Sequence, residues 1–430
     1  MEGLDGDPIS RRGRDAVDNS FEILVSRLRA LDDPRQAGKV SYPLVEMSMV
    51  AVAGVIADCD GWEDVADFGR DRLDWLRRFL PFENGVPSHD TFARVFSVVD
   101  VEQLEACIAG WVEETFTCAR HESSPCESSP HESRESPQPA EPLTTDKPSP
   151  TGESTAAALR PHVSFDGKTM RGSHDRIHEG SPLHVVTAYA SGPGVSLGQT
   201  AVAEKSNEIT AIPHLVSVLC LAGCIVTIDA LGCQKEIAWC LRKARAEYVL
   251  AVKGNQPTLH AAIIAYFDAM EEHEEAGVEF QHRETLDKKR GRVERRLYWS
   301  AAAPAAVTAS GDWTDLCSIG MVISERTEKG KTTREVRYYI MSLENNVQEF
   351  SRVVRAHWSI ENSLHWRLDV VFREDESRMR TGHSARVFTL FRKIALNILN
   401  QERRTKRSVR AKRKQAARNP QYLLEVLTSV

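Results

Sequence analysis

The chain has 430 residues, 41% hydrophobic and 27% charged, which suits a globular protein of two or three domains with a sizeable core. Its formal charge of −6 argues against a uniformly basic nucleic-acid binder, yet the total hides local structure. Residues 119–159 hold seven acids against three bases, whereas Arg403–Arg418 carries nine Lys or Arg and no acid, and such patches decide polyanion binding. The N-terminal MEGLDGDPISRRGRD lacks a basic segment leading into an apolar one, so no signal peptide is expected. Ile209–Ile228 is uncharged over 20 residues, but Pro213, His214 and Gly223 interrupt it. That pattern predicts a buried helix and strand, not a membrane span. Nine cysteines, an odd number without CxxC spacing, read as free thiols of a reducing, cytoplasmic compartment.

In chain order, residues 1–19 read as a flexible N-terminus and 20–118 as a helical domain. Apolar residues fall at helical spacing in Phe21–Leu31, Tyr42–Ala57 and Trp62–Leu80. The turn Gly85-Val86-Pro87-Ser88, with the serine as N-cap, leads into a short helix His89–Val98. This resembles a helix-turn-helix DNA reader. A plain helical bundle fits the same pattern.

Residues 119–159 contain HESSP, CESSP and HESRESP and too little apolar area to offset ordering entropy, which predicts a disordered acidic linker. The segment 160–402 then reads as α/β. Strands are expected at His162–Asp166, Leu183–Ala190, Val195–Ala203, Cys224–Asp229 and Tyr248–Lys253, with helices at Glu208–Leu221 and Lys235–Glu247. Residues 278–343 then turn β-rich, with strands at Val278–Thr285, Val293–Ser300, Leu316–Ser324 and Val336–Ser342. Long helices follow at Ser351–Phe372 and Ser384–Gln401, and 403–430 reads as a basic tail.

Two apolar strands end in an aspartate, Asp166 in HVSFDGK and Asp229 in CIVTIDALG. Groups at the carboxyl ends of strands in an α/β sheet face the crevice where ligands bind, although either aspartate would also serve to cap a turn. On a helix, Glu361, His365 and Asp369 fall at i, i+4 and i+8 beside the apolar anchors Leu364, Leu368 and Val371. The alternative is an amphipathic helix with solvated charges, but Trp358 and Trp366 suggest a docked one. Three converging carboxylates suit two hard divalent cations and phosphoryl transfer. Zinc is the competing reading for His357, Glu361, His365 and Asp369, against which stand the missing HExxH order and the lack of a cysteine.

Four segments, DGKTMRG (166–172), TIDALGCQ (227–234), VKGNQP (252–257) and HWSIENSLHWRLDVVFREDESR (357–378), resemble the DDE transposases of the ISAs1 group. These are relatives of the IS4-like superfamily and include the H-repeat-associated proteins. The resemblance covers 20–117 and about 160–400. It implies an RNase H-like catalytic domain with a β-rich insertion over about 260–350, a helical associated domain before it, and Mg²⁺-dependent cleavage and joining at the terminal inverted repeats of an insertion sequence. Mn²⁺ is expected to substitute. Asp166, Asp229 and Glu361 match the three acids, as catalytic residues and metal ligands. The implied partners are double-stranded DNA, as transposon ends and target, and a second copy of the chain in the synaptic complex. The implied location is the bacterial cytoplasm, at the nucleoid. Within the wider superfamily, Tyr, Arg and Lys surround the third acid; here those positions hold Val354, His357 and Leu368, so those roles do not transfer. A non-catalytic DNA-binding remnant, or a nuclease without joining activity, is the alternative.

Basic and polar residues complete the expected DNA surface. Lys168 and Arg171 follow the first acid, and Lys253 and Asn255 sit in VKGNQP. Lys288, Lys289, Arg290, Arg292, Arg295 and Arg296 cluster on a candidate hairpin. Arg355, His357, Trp358, Asn362 and His365 surround Glu361. Clustered cations fit phosphate contact, and a solvated charged hairpin is the plainer reading.

Overall fold

The computed structural model describes residues 20–117, 159–174, 181–202, 208–275, 277–289, 291–309 and 311–429. The N-terminus 1–19 and all but the last residue of the 119–159 linker lie outside them.

Residues 20–117 are helical, with α1 (20–29), α2 (Leu44–Ile56), α3 (Trp62–Asp71), α4 (Leu73–Leu76), α5 (His89–Phe96) and α6 (Val101–Thr117). Helix α2, LVEMSMVAVAGVI, is apolar nearly all round and is buried accordingly. Ser88 stands at the N-cap of α5 with extended backbone, but its hydroxyl lies 3.3 Å from that of Thr91 and caps no backbone N–H.

The second part is built on one nine-stranded sheet, ordered β3-β2-β1-β4-β5-β9-β8-β7-β6. Strands β1 (His162–Thr169), β2 (His184–Ala190) and β3 (Val195–Val202) form an antiparallel meander. After α7 (Glu208–Val218), β4 (Ile225–Ile228) pairs parallel with β1; after α8 (Lys235–Lys243), β5 (Glu247–Val252) pairs parallel with β4. Such parallel neighbours need a crossover helix and covered faces, which explains their unbroken apolar runs. Helices α9 (Pro257–Asp268) and α10 (Met270–Glu275) come next.

Four long strands follow, β6 (Gln281–Lys289), β7 (Arg292–Ala302), β8 (Ser318–Glu328) and β9 (Lys331–Met341), with the short α11 (Ala305–Thr308) between β7 and β8. They do not form a sheet of their own. Strand β9 pairs antiparallel with β5, so the four strands extend the same sheet. The inner half of β8 is buried while the outer ends of β8 and β9 are exposed, so the hairpins leave the core as a ledge.

The helix expected over Ser351–Phe372 is interrupted. Helix α12 (Val347–His357) gives way to a π-helical turn Ile360–His365 and then α13 (Trp366–Val370). Helix α14 (Ser384–Gln401) matches its expected bounds.

The basic tail is corrected. Residues beyond 403 fold into α15 (Val409–Arg418) and α16 (Pro420–Leu427), which pack with α14 against α2. Arg413 is fully buried, donating to the carbonyls of Val55 (3.1 Å) and Cys59 (3.2 Å) and to Asp60 (3.1 Å). Lys412 is buried on the carbonyl of Leu399. The helical N-terminal region is likewise not self-contained. Trp62 stacks on Phe96 at 5.0 Å and meets Phe388 of α14 edge-on at 4.8 Å, inside one core that runs from α1 to α16.

Candidate active site

Register brings the two aspartates together. Phe165 pairs with Ile228 across the parallel β1–β4 ladder, so Asp166 and Asp229 are the next residues where that ladder ends; Asp229 directly follows β4, whereas β1 runs on past Asp166 to Thr169 along β2, so the expected strand end at Asp166 is corrected. Asp229 starts a tight turn and accepts the Leu231 N–H at 3.1 Å. The π-helical turn supplies Glu361, held by Ile360 and Leu364, both fully buried. Isolated π turns are uncommon and often mark functional sites. Asp166, Asp229 and Glu361 line one cavity of about 150 Å³, together with Thr227, Lys253, Arg337, His357 and Trp358.

The electrostatics carry the mark of crowded acids. Burial, then the charges of Asp229 and Glu361, push the Asp166 carboxyl up to about 7. His365 Nδ1 lies 3.4 Å from Asp166 Oδ2. Burial holds His365 neutral, at about 3, and its Nε2 is buried without a hydrogen-bond partner. Hard carboxylate oxygens whose mutual repulsion raises one of their own pKa values suit a divalent cation, which would relieve that repulsion. Among the described residues, no three His, Cys, Asp or Glu side chains already stand in ligand geometry about a common point.

The remaining candidates divide. Lys253 and His357 line the cavity, as does Trp358, whose ring is covered by the Arg337 guanidinium 4.5 Å from its centroid. Trp366 is exposed, so it does not pack its helix onto the sheet. Lys168 is not among the residues lining the cavity, and its ammonium is paired with Asp369 and Glu374 (2.7 Å to the latter). Asp369 is held by Lys168, and Glu361 lines the cavity while Asp369 does not. His365 backs Asp166 instead of facing solvent. Asn255 donates to the Ala230 carbonyl at 2.6 Å and braces the turn after Asp229. Asn362 is exposed but donates to the Trp358 carbonyl. Arg171 is exposed, and exposed Arg355 lies 3.3 Å from Asp287.

On the ledge, Lys288 and Lys289 are exposed, and no ion pair is found for them among the described residues. Arg292, Arg295 and Arg296 pair with Glu294, Glu284 and Asp287 respectively. Arg290 lies outside the described residues.

Sequence reasoning missed Arg337, which comes from β9 and has no local signal. It also missed Thr227, which period-2 alternation from Asp229 places on the same face of the strand.

Residues 157–398 match the family model described as "Transposase DDE domain", and residues 25–112 match that described as "DDE_Tnp_1-associated". The chain belongs to the DDE transposases, of the IS4-like type. It is 36% identical to "Putative transposase YncI" of Escherichia coli O157:H7, covering 95% of each chain. It is 34% identical to "H repeat-associated putative transposase YhhI" of Escherichia coli K12, covering 94% of this chain and 97% of that one. A cryo-EM structure of the piggyBac transposase synaptic complex with hairpin DNA aligns at a TM-score of 0.37 and 10% identity, covering 97% of this chain and 83% of that one.

Proposed function

We propose that the chain cleaves DNA at the terminal inverted repeats of an insertion sequence and joins the ends to target DNA. The observation that carries this reading is the meeting of Asp166, Asp229 and Glu361 at one cavity from three distant stretches of sequence. These three would hold two Mg²⁺ or Mn²⁺ ions. Bound there, such ions supply Lewis acidity to the attacking and leaving oxygens of a phosphodiester exchange. The chain's own residues do the rest. Lys253 and Arg337 put positive charge at the cavity to receive a phosphate, and the Leu231 N–H and His365 orient Asp229 and Asp166.

The antiparallel β1–β3 meander followed by parallel β4 and β5 supports an RNase H-like fold, with β6–β9 as its insertion. The run of motif from His357 to Arg378 supports placement in the ISAs1 group. Double-stranded DNA is the partner, and a homodimer on paired ends is the working assembly, at the nucleoid of a bacterial cytoplasm. Among the described residues no helix is long and apolar enough to cross a membrane.

Incubating full-length protein and Mg²⁺ with a duplex carrying the element's end tests the reading. Cleavage lost in Asp229→Ala is expected; equal cleavage by that variant overturns it. A strand-transfer assay separates a transposase from a nuclease, and a wild type that binds but never cuts is a remnant. We further propose that α5 contributes to end recognition through His89 and Arg94 on its exposed side. Because α5 is glued to α14, the test belongs in the full chain. His89→Ala with Arg94→Ala should lower selectivity for end DNA in a mobility-shift assay, and unchanged selectivity removes α5 from the interface.

A further inference from the structure

The strand ladders put the ledge and the catalytic acids on one face of the sheet. Residues paired directly across strands point to the same side, as do residues two apart along a strand. Asp229 and Ala251 follow the Ile228–Leu250 pair, Ala251 pairs with Tyr339, and Arg337 stands two residues from Tyr339. From Arg337 one cross-strand row runs through Val322 and Tyr298 to Arg283 on the edge strand β6. Helix α12 covers part of this face, its Phe350 ring meeting Tyr298 and Tyr339 edge-on.

Along that face three hollows share their walls. The catalytic cavity and a groove of about 570 Å³ have Arg337, Trp358 and Glu361 in common. That groove and a further cavity of about 820 Å³ have Arg355 in common. The far cavity draws four arginines from three stretches of chain: Arg160 ahead of β1, Arg283 on β6, and Arg352 and Arg355 on α12. Only two acids, Glu349 and Asp287, line it with them. Glu349 lies 2.5 Å from Arg160 and 3.5 Å from Arg352, and Asp287 lies 2.7 Å from Arg296 and 3.3 Å from Arg355. Half-buried Arg283 donates to the Ser351 hydroxyl at 3.0 Å, and no ion pair is found for it among the described residues. The Arg352 Nε–H is buried with no hydrogen-bond partner among them. Four guanidiniums against two carboxylates leave an excess of donors, and phosphate oxygens match the planar fork of an arginine.

We infer that the far cavity is a second phosphate-binding site, which holds the DNA backbone away from the reacting bond. Neighbouring strands are about 4.8 Å apart, so Arg283, three strands beyond Arg337, stands about 14 Å from it. A B-form strand advances about 3.4 Å per phosphate along its axis, which makes that interval roughly four nucleotides. The inference rests on DNA being the substrate, as proposed above.

Fluorescence anisotropy of the full-length, metal-free protein on a duplex carrying the element's end, over a salt series, tests it. Arg283→Ala should lower the salt slope of binding by about 1, and Arg283→Ala with Arg352→Ala by about 2. Arg283→Lys should keep the slope, because the slope counts charge. Lys243 is exposed on α8, which packs on the opposite face, so Lys243→Ala should leave it unchanged. A neutral methylphosphonate stepped along each strand should weaken wild-type binding roughly four nucleotides from the cleaved bond, and have no effect there in the double variant. An unchanged slope in the double variant overturns the site, as does a slope that falls equally in Arg283→Lys. A double variant that keeps its DNA slope and loses only its sensitivity to added inorganic phosphate also overturns it, since the cavity then takes a free anion. The slopes need no cleavage, so the two readings fail separately. A protein that never cuts but loses slope as stated defeats the catalytic reading alone, and a cutting enzyme with an unchanged slope defeats the second site alone.

Discussion

At the scale of the residue, three carboxylates, one glycine and one buried glutamate lend themselves to measurement. Asp166→Ala, Asp229→Ala and Glu361→Ala should each cut end cleavage on the order of 10³-fold or more, because each removes a ligand from a site that acts as a unit. Asp166→Ala should also keep its stability or gain some, since it removes a carboxyl that burial, and then the charges of Asp229 and Glu361, lift to about 7. Gly167→Ala is different. A Cβ there would lie 2.7 Å from His184 Nε2 and closer still to Glu208 Oε1, two groups already bonded to each other at 2.6 Å. Overpacking of this kind costs about 1–3 kcal/mol, to be read from denaturant unfolding. Glu374 sets an acid limit. Burial alone would raise its carboxyl, but Lys168, Arg392 and Lys393 outweigh that and hold it at about 2, below its ordinary 4.5. A carboxyl depressed in the folded state contributes stability that is present above pH 4.5 and lost as pH falls toward 2. Glu374→Gln should therefore be less stable than wild type at neutral pH and flatter across that acid window, as urea midpoints taken at stepped pH would reveal.

At the scale of the element, the β6–β7 hairpin separates cations available to DNA from cations already paired. Lys288 and Lys289 are exposed without an ion pair among the described residues, whereas Arg295 is fixed between Glu284 and Glu325. Each phosphate contact contributes close to one unit to the salt slope of binding. Lys288→Ala with Lys289→Ala should lower that slope by about 1–2 and weaken all duplexes alike, while Arg295→Ala changes it little. Fluorescence anisotropy over a salt series measures both. The third-acid segment illustrates how an element is decided from outside itself. Its sequence reads as one long helix. Yet Leu364 and Leu368 are drawn into the core with α14 while Glu361 is drawn to the cavity, and the chain meets both demands by widening one turn.

At the scale of the whole molecule, the C-terminal helices close the structure. Arg413 crosses from α15 to the end of α2, where it meets Asp58 (3.2 Å) and Asp60 and covers the face of Phe372 at 4.2 Å. Arg413→Met removes one side of a buried charge cluster and should destabilise the chain by about 3–5 kcal/mol in thermal or urea unfolding. Truncation at residue 402 should do more, exposing the apolar faces of α2 and α14 and yielding aggregated protein on size-exclusion chromatography. A truncated chain that stays monodisperse and unfolds like wild type would show the C-terminal helices to be dispensable.

Local sequence determined a good deal. The strands β1 to β5, the crossover helices and α14 are legible because hydrophobic periodicity is a local property, and Asp166 and Asp229 stand out as the first acids after the apolar runs of β1 and β4, although β1 itself continues to Thr169 along β2. The identity of the third acid rested on the resemblance of a 22-residue motif to a known family. Tertiary structure alone decided what long-range pairing controls. Composition marks β6–β9 as strands but not their partner, so only the β5–β9 ladder shows that they widen the existing sheet. Charge marks Lys168, Arg413 and Lys412 as surface cations, yet buried acids and carbonyls from distant elements claim all three. A cation's role depends on which partner folding brings within reach. That partner is named nowhere in the residues around it.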